Sequence, residues 1–506
     1  MSEQEARALL QRVARLEGEL ANKNSLIEQL KEELYLARHR LFGRKTEKAV
    51  IENLPLFDEL PMGIAEKPSE LQAVEVAAHN RARKAGRKPL PETLPRVEIL
   101  HDIAEEDKKC ACGHDLVKIG EEVSERLGLI PRKLFVEKHI RPRYACHHCE
   151  GSGDEDKLAV RIAPVPPSLI PRSIVTPSLL ATIFIAKYCD HLPYYRQEEQ
   201  FSRSGLDLSR QDMSNWTLKV GLAIKPIIVL LEKALLSASF VQMDETPVQV
   251  LSEPDRSDAA KSYMWLARGG PPGKQVILYQ YYPSRAAKHP ANFLAEYTGY
   301  LQTDGYEAYT KAIEGKSITQ VGCWAHARRK FDEAAKASKQ TGTAHAGLAK
   351  IRKLYLIERE LRESLNTGLM TPAAFLAERR LQVAPVLIDL KTWLNEQAQR
   401  ILPSGLTGKA IAYSLSQWDK LVRYLEQPEI TPDNNACENA IRPFVLGRKN
   451  WLFSGSPAGA EASCALYTLI ETAKVNGLNP WDYLLRLCTE LPTTSPENLP
   501  TLLPFA

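Results

Sequence analysis

Three acidic side chains stand in settings that call for a reason. Asp244 lies inside Phe240-Val-Gln-Met-Asp-Glu-Thr-Pro-Val-Gln-Val250, whose apolar frame predicts a buried β-strand. Asp304 closes the second short apolar run, Tyr300-Leu-Gln-Thr-Asp-Gly-Tyr306. Glu438 falls in Thr431-Pro-Asp-Asn-Asn-Ala-Cys-Glu-Asn-Ala-Ile-Arg442, which predicts a helix with Thr431 as N-cap and Pro432 in its first turn. Spacings of three and four put Asn434, Asn435, Glu438 and Arg442 on one face of that helix, and Pro443 is expected to end or kink it. Carboxylates on three separate elements suit two divalent cations, Mg²⁺ or Mn²⁺, because hard cations take oxygen ligands and keep water positions open. The chemistry of such a site is phosphoryl transfer, with a nucleophile activated at one cation and the leaving oxygen stabilised at the other. Each acid also has a bland reading: an edge-strand residue, a turn former before Gly305, and an i, i+4 partner of Arg442.

The elements around these acids follow an order. After the Asp244 strand come strand-like runs at Lys261–Arg268 and Gln275–Tyr281, joined by Gly269-Gly-Pro-Pro-Gly273. A helix fits Pro290–Tyr297, then the Asp304 strand, a helix from Tyr306, and a strand at Ser317–Val321. This β-β-β-α-β-α-β order is that of an RNase H-like domain, which carries its first acid on the first strand and its second at the end of the fourth. Residues 335–430 read as a helical insertion, with patterns at Lys350–Leu365, Pro372–Asn395 and Lys409–Leu425. The expected catalytic domain is 236–455. The tail at 456–506 carries two helices, Ala458–Asn476 and Pro480–Leu491, and Cys437, Cys464 and Cys488 read as reduced core thiols.

Upstream segments read as devices for holding DNA. Residues 170–225 predict a helix-turn-helix region, with helices at Pro177–Lys187, Tyr194–Arg203 and Ser209–Lys219 and a turn at Gly205. Phe201, Leu206, Met213 and Trp216 would form its core, and Ser209 would cap the last helix with Asp212 at the capping-box position. Arg210, Gln211 and Asn215 on that helix's exposed face suit base edges in a major groove. At 106–165, Cys110-Ala-Cys112 and Cys146-His-His-Cys149 form two pairs that predict a structural Zn²⁺ site. The first pair is one residue tight, so His114, His147 and His148 stand as alternative ligands. Between the pairs, Val136–Tyr144 alternates like a basic strand and would present Arg141 and Arg143. At 43–105, a Pro-rich and charged linker contains Arg81, Arg83, Lys84, Arg87 and Lys88, a basic arm for phosphates or a narrow minor groove. Residues 1–42 repeat apolar positions at heptad spacing, including Leu16, Leu20, Ile27, Leu30, Leu34 and Leu41, with a break at Lys23. That pattern predicts a coiled coil and a homo-oligomer.

Composition agrees with a multidomain α+β protein. The 506 residues are 44% hydrophobic, enough for several cores, and a net charge of +4 excludes nothing by itself. No apolar run reaches the ~18–20 residues of a membrane span, and the N-terminus lacks an apolar signal region, so a cytoplasmic location is expected. Nine cysteines, an odd number, do not suggest a disulfide framework.

With these motifs in hand, the chain resembles the large DDE transposase of the insertion-sequence-66 family. The likeness rests on Leu41-Phe-Gly-Arg-Lys-Thr-Glu-Lys48, Gly86-Arg-Lys-Pro-Leu-Pro91, the cysteine pairs, Val241-Gln-Met-Asp-Glu-Thr-Pro247, Thr303-Asp-Gly-Tyr306, Cys323-Trp-Ala-His-Ala-Arg-Arg-Lys-Phe331, Asn434–Pro443 and Gly447-Arg-Lys-Asn-Trp-Leu-Phe-Ser-Gly455. By that resemblance Asp244, Asp304 and Glu438 are the DDE triad. The implied activity is cleavage at the ends of a mobile element and joining of the 3′-OH ends to target DNA, with accessory proteins of the same element as further partners. His326, Arg328 and Arg329 after the last core strand, with Arg442, Arg448 and Lys449 beside Glu438, would face DNA phosphates. Two other classes compete: a catalytically inactive or domesticated DNA-binding zinc protein, and an RNase H-like nuclease acting on RNA–DNA hybrids or junctions.

Overall fold

The computed structural model describes Arg12, Lys23, Ile27, Leu30, Lys31, Leu34, Arg96 and residues 133–145, 160–337 and 342–505. The basic arm at 81–88 and the cysteines of the two pairs lie outside these residues. The chain divides into two units, Glu59–Val165 and Met1–Asp58 with Pro166–Ala506.

In the first unit, β1 (Arg143–Ala145) pairs antiparallel with β2 (Val160–Ile162), Arg143 opposite Ile162. The Arg141 guanidinium donates to the Ala163 carbonyl at 2.9 Å. The strand expected over Val136–Tyr144 is reduced to its last residues. An alternating strand needs a surface to bury one face against, and Val136 and Ile140 are exposed instead.

In the second unit, the six described residues from Arg12 to Leu34 are helical, and the seam positions Ile27, Leu30 and Leu34 are exposed. Three helices follow Pro166: α1 (Pro177–Tyr188), α2 (Tyr194–Arg203) and α3 (Arg210–Ala223). Gly205, at φ +79°, makes the turn between α2 and α3 in a backbone region that favours glycine. Ser209 caps α3: its Oγ accepts from the Asp212 N–H (3.1 Å) and donates to the Asp212 carboxylate (2.7 Å). Phe201, Met213 and Trp216 are buried, while Leu206 packs at the edge of the same core.

Helix α4 (Lys225–Leu236) leads into the sheet. Strand β3 (Phe240–Val250) is its centre. On one side β3 pairs antiparallel with β4 (Lys261–Gly269), which pairs antiparallel with β5 (Val276–Tyr282). On the other side β6 (Gly299–Gln302) runs parallel to β3, and β7 (Ile318–Val321) parallel to β6, giving the order β5-β4-β3-β6-β7. The short helices α5 (Lys288–Phe293) and α6 (Glu307–Ala312) flank β6 in sequence. Strand β5 is one edge of the sheet, and the helix over Pro457–Val475 covers it: Thr472 and Thr468 accept from the Ile277 and Tyr279 N–H groups at 3.1 and 2.9 Å. Edge donors are satisfied this way without a further strand.

A second core lies outside the sheet, formed by α7 (Trp324–Ala337), α8 (Thr343–Asn366), α9 (Pro372–Ala398), α10 (Leu406–Ser416) and α11 (Trp418–Val422). Trp324, Phe331, Ile351, Leu354, Val383, Leu390, Leu394 and Leu421 fill it. Its buried charge is Arg379, fully enclosed, which pairs with Glu358 (2.9 Å) and donates to the carbonyls of Gln427 (3.1 Å) and Ile430 (3.1 Å). The helical layer thereby holds the strand of chain that leads to Glu438.

Helix α12 spans Asn435–Trp451, β8 (Phe453–Ser454) adds parallel to the end of β3, and α13 (Pro457–Val475) and α14 (Pro480–Glu490) complete the unit. One expectation for α12 fails and another is narrowed. Thr431 is not its N-cap, because its hydroxyl is drawn into tertiary bonds with Gln302 (3.4 Å) and the Asp433 carbonyl (2.7 Å). Pro443 does not end it: the helix runs on for two turns, since burying Phe444 and Gly447 against the core offsets one forfeited backbone bond. Among the described residues no helix is long and apolar enough to cross a membrane.

Candidate active site

The two aspartates are brought together by backbone register. Strands β3 and β6 are parallel neighbours with Gln242 opposite Gln302. Asp244 and Asp304 each stand two residues further on, so they occupy equivalent positions on the same side of adjacent chains. Asp244 Oδ1 accepts from the Glu245 N–H and Asp304 Oδ1 from the Tyr306 N–H, both at 2.9 Å. Each aspartate thus commits one oxygen to orientation and keeps the other for a ligand.

Glu438 stands one turn into α12, and a buried polar stitch ties the chain entering that helix to the sheet. Gln242 and Gln302 are both buried, and Gln242 Nε2 donates to Gln302 Oε1 at 2.8 Å. Gln302 Nε2 donates in turn to the Gly322 and Thr431 carbonyls at 3.0 and 2.8 Å, and Arg268 donates to Gln242 Oε1 at 3.0 Å. Asn434 Nδ2 reaches the Met243 carbonyl (2.9 Å), and the Asn434 N–H donates to Cys323 Sγ (3.2 Å). Strand β3, the ends of β6 and β7, and the start of α12 are therefore joined by side-chain amides next to the acids.

The electrostatics reflect this convergence. Burial, then the charges of Glu245, Glu438 and Asp304, push the Asp244 carboxyl up to about 7, against the lowering effect of its backbone hydrogen bond. Burial also raises Glu245, against the lowering effect of Tyr309 and of Arg285, whose Nε lies 2.6 Å from Oε1. Arg285 stacks 3.6 Å from the centroid of Tyr306, the residue whose N–H orients Asp304. Glu438 Oε2 accepts from Arg329 at 3.0 Å, and Oε1 lies 3.8 Å from His326 Nδ1. Burial lowers the His326 imidazole despite Glu438. Among the described residues, the group of three metal-binding side chains with ligand atoms within 4.8 Å of one another is Cys323, His326 and Glu438.

The residues expected to meet DNA are distributed over the unit. Arg210, Gln211 and Asn215 are exposed on α3, with Gln211 Nε2 3.4 Å from Asn215 Oδ1. Arg442 and Lys449 are exposed on α12, whereas Arg448 turns inward to Thr246 on β3 (3.3 Å). Arg329 is exposed but engaged with Glu438, and Arg328 and His326 are half-buried.

Several residues in and around this site escaped sequence reading. Tyr413 of α10 covers Gly305 so closely that a Cβ there would lie 3.0 Å from the ring, which brings the helical layer against Asp304. Burial, then the charges of Cys323 and Asp304, raise its phenol. The glutamine pair and Arg285 carried no local signal. Cys323-x₂-His326 did, as a ligand spacing at a strand end, beyond the family motif and the phosphate-facing charge expected of that stretch.

Comparison with known proteins finds one family along the chain. The family profile described as Transposase IS66 family matches residues 172–462, more than half of the chain. The zinc-finger binding domain of transposase IS66 matches 107–150, Transposase C of IS166 homeodomain 29–99, and the IS66 C-terminal element 468–505. Curated relatives include two uncharacterized proteins of Sinorhizobium fredii (strain NBRC 101917 / NGR234). One, y4jD, is 33% identical over 82% of this chain and 81% of its own length. The other, y4qI, is 30% identical over 97% of this chain and 91% of its own. No solved structure matches the chain.

Proposed function

This chain belongs to the IS66 transposase family, and from that premise we propose that it is a DDE transposase whose triad is Asp244, Asp304 and Glu438. The observation that carries the reading is the register of β3 and β6, which sets two aspartates side by side, and the charge of Glu438 felt at the buried Asp244 supports taking it as the third acid. The strand order β5-β4-β3-β6-β7, antiparallel then parallel about β3, supports reading this domain as RNase H-like.

The residues fit divalent cations. Asp244 bears the cost of three neighbouring carboxylates, which a cation relieves. Glu438 Oε1 is buried without a hydrogen-bond partner, an orphaned oxygen that suits a cation. Mg²⁺ or Mn²⁺ held by these acids would polarise the scissile phosphate and lower the pKa of the attacking hydroxyl. The chain's own part is positional. Asp244 and Asp304 fix the sheet side of the site, Glu438 approaches from α12, and exposed Arg329, Arg442 and Lys449 offer charge to the phosphate backbone. In the first step the oxygen of water attacks phosphorus at an element end and the 3′ oxygen leaves with a proton, giving the 3′-OH. In the second that 3′-OH attacks a target phosphodiester and the target's own 3′ oxygen leaves.

Helix α3 with Arg210, Gln211 and Asn215, the basic arm at 81–88 and the zinc-binding segment are read as the DNA-holding parts, and the N-terminal seam as the means of pairing chains. The test is cleavage and joining of element-end DNA in Mg²⁺ by the full-length protein. Asp244→Asn, Asp304→Asn and Glu438→Gln should each lower both steps by about 10³-fold or more, ~4 kcal/mol of transition-state stabilisation, with DNA binding retained. Undiminished joining by Glu438→Gln would sink the triad. Cleavage without joining, given 3′-OH ends and a supercoiled target, would favour a nuclease instead.

A further inference from the structure

Glu438 belongs to a second constellation that the acid triad does not account for. Cys323 follows β7, and His326 stands three residues later in the first turn of α7, its N–H donating to the Cys323 carbonyl at 3.3 Å. Glu438 faces both from α12, and one ligand atom of each side chain lies within 4.8 Å of the others. His326 Nδ1 and Glu438 Oε1 are 3.8 Å apart, both shielded from water, and neither has a hydrogen-bond partner. That separation is too long for a hydrogen bond, and each buried polar atom left unpaired carries a desolvation penalty. A cation with bonds of ~2.0–2.3 Å bridges such a gap.

We propose that Cys323, His326 and Glu438 bind a borderline transition-metal cation of the Zn²⁺ class, at a site separate from the cysteine pairs at 110–149. A sulfur, an imidazole nitrogen and a carboxylate oxygen favour Zn²⁺ over Mg²⁺, which takes oxygen ligands. Three protein ligands leave a fourth tetrahedral position for water. The side chains of His326 and Glu438 are 25% and 20% exposed, so a cation enters from solvent. As the sulfur–metal bond forms, the Cys323 thiol proton leaves to solvent. Arg329 Nη1, 3.4 Å from His326 Nε2, gives up that contact when Nε2 carries the ring proton, and its exposure lets it move. One consequence rests on the transposase reading: Zn²⁺ on Oε1, with Arg329 on Oε2, withholds Glu438 from the catalytic cations, so zinc antagonises strand transfer.

The experiment uses the full-length protein, stripped with chelator and titrated with Co²⁺ and Zn²⁺. The tightly bound metal is counted per chain against a chromophoric competitor, and thiolate–Co²⁺ absorption is followed. The variants are Cys323→Ser, His326→Ala and Cys146→Ser. Loss of one metal per chain in both Cys323→Ser and His326→Ala, added to the separate loss in Cys146→Ser, is the expected result. An unchanged count in His326→Ala with normal thermal unfolding overturns the site. An unchanged count in Cys323→Ser with normal thermal unfolding does the same. The count is independent of DNA chemistry. A failed zinc site leaves the triad standing if Glu438→Gln still abolishes joining, and a failed triad leaves the count intact.

Discussion

Asp244 and Asp304 reach the site by different physics from Glu438. The aspartates ride on neighbouring parallel strands, their spacing set by the ~4.8 Å of a sheet and by a ladder of backbone bonds that supports them redundantly. Glu438 rides on a helix whose entry is held by side-chain bonds, from Gln302 to the Thr431 carbonyl, from Gln242 to the Asp433 carbonyl and from Asn434 to the Met243 carbonyl. The sheet side should therefore be stiff and the helix side adjustable. That division suits the proposed triad, in which cation and DNA would complete the placement of the third acid.

The largest effect should come from cutting the stitch. Gln302→Leu keeps the volume but leaves the Gly322 and Thr431 carbonyls without their donor and takes from the Gln242 amide its shortest bond. At ~1–3 kcal/mol for each buried group left unpaired, about 3–5 kcal/mol of stability should be lost, read as a shift in the urea midpoint. The same variant should lose joining activity under conditions where it is still folded. A loss below ~1 kcal/mol would mean that apolar packing, not the amides, docks α12.

The stiff side predicts a pH dependence. The folded-state carboxyl of Asp244 titrates at about 7, above its ordinary 3.8, so the folded chain holds a proton that the unfolded chain releases. Stability without metal should then fall as pH rises from about 4 to about 7 and level off above, by about 2–4 kcal/mol. Asp244→Asn should flatten that slope, and Mg²⁺ should restore stability above pH 7. Thermal melts in chelator across this range check both, and an identical slope in Asp244→Asn would assign the titration to another group.

The two sides also differed in how far the sequence disclosed them. The Asp244 strand was legible because an apolar frame with period two is a local signal. Helix α12 was legible as a helix, but its start was misplaced by three residues. Thr431-Pro432 carries a good local capping signature, and only the folded chain reveals that Gln302, 129 residues away in sequence, claims the Thr431 hydroxyl. Arg285, Tyr413 and the glutamine pair were silent for the same reason: each acts through a partner distant in sequence. Cys323-x₂-His326 was a local signal that was open to reading and passed over, since its third ligand lies on α12.

The smallest change in stability, and the sharpest probe of adjustability, belongs to Arg329. Its bond to Glu438 is 3.0 Å long, but the arginine side chain is half exposed, so Arg329→Gln should alter stability by less than ~1 kcal/mol. Its effect on cations should be disproportionate. Removing a positive charge beside Glu438 and freeing Oε2 should tighten Mn²⁺ binding several-fold, measured by titration calorimetry, while losing one phosphate contact should weaken DNA binding and flatten its salt dependence by about one charge. The reverse pattern, a loss above ~2 kcal/mol with cation affinity unmoved, would make the pair a structural strut and Glu438 as rigidly held as the aspartates. With cation affinity raised and stability intact, Arg329 is a holder that Glu438 can leave, and the helix side of the site is the side that responds to DNA.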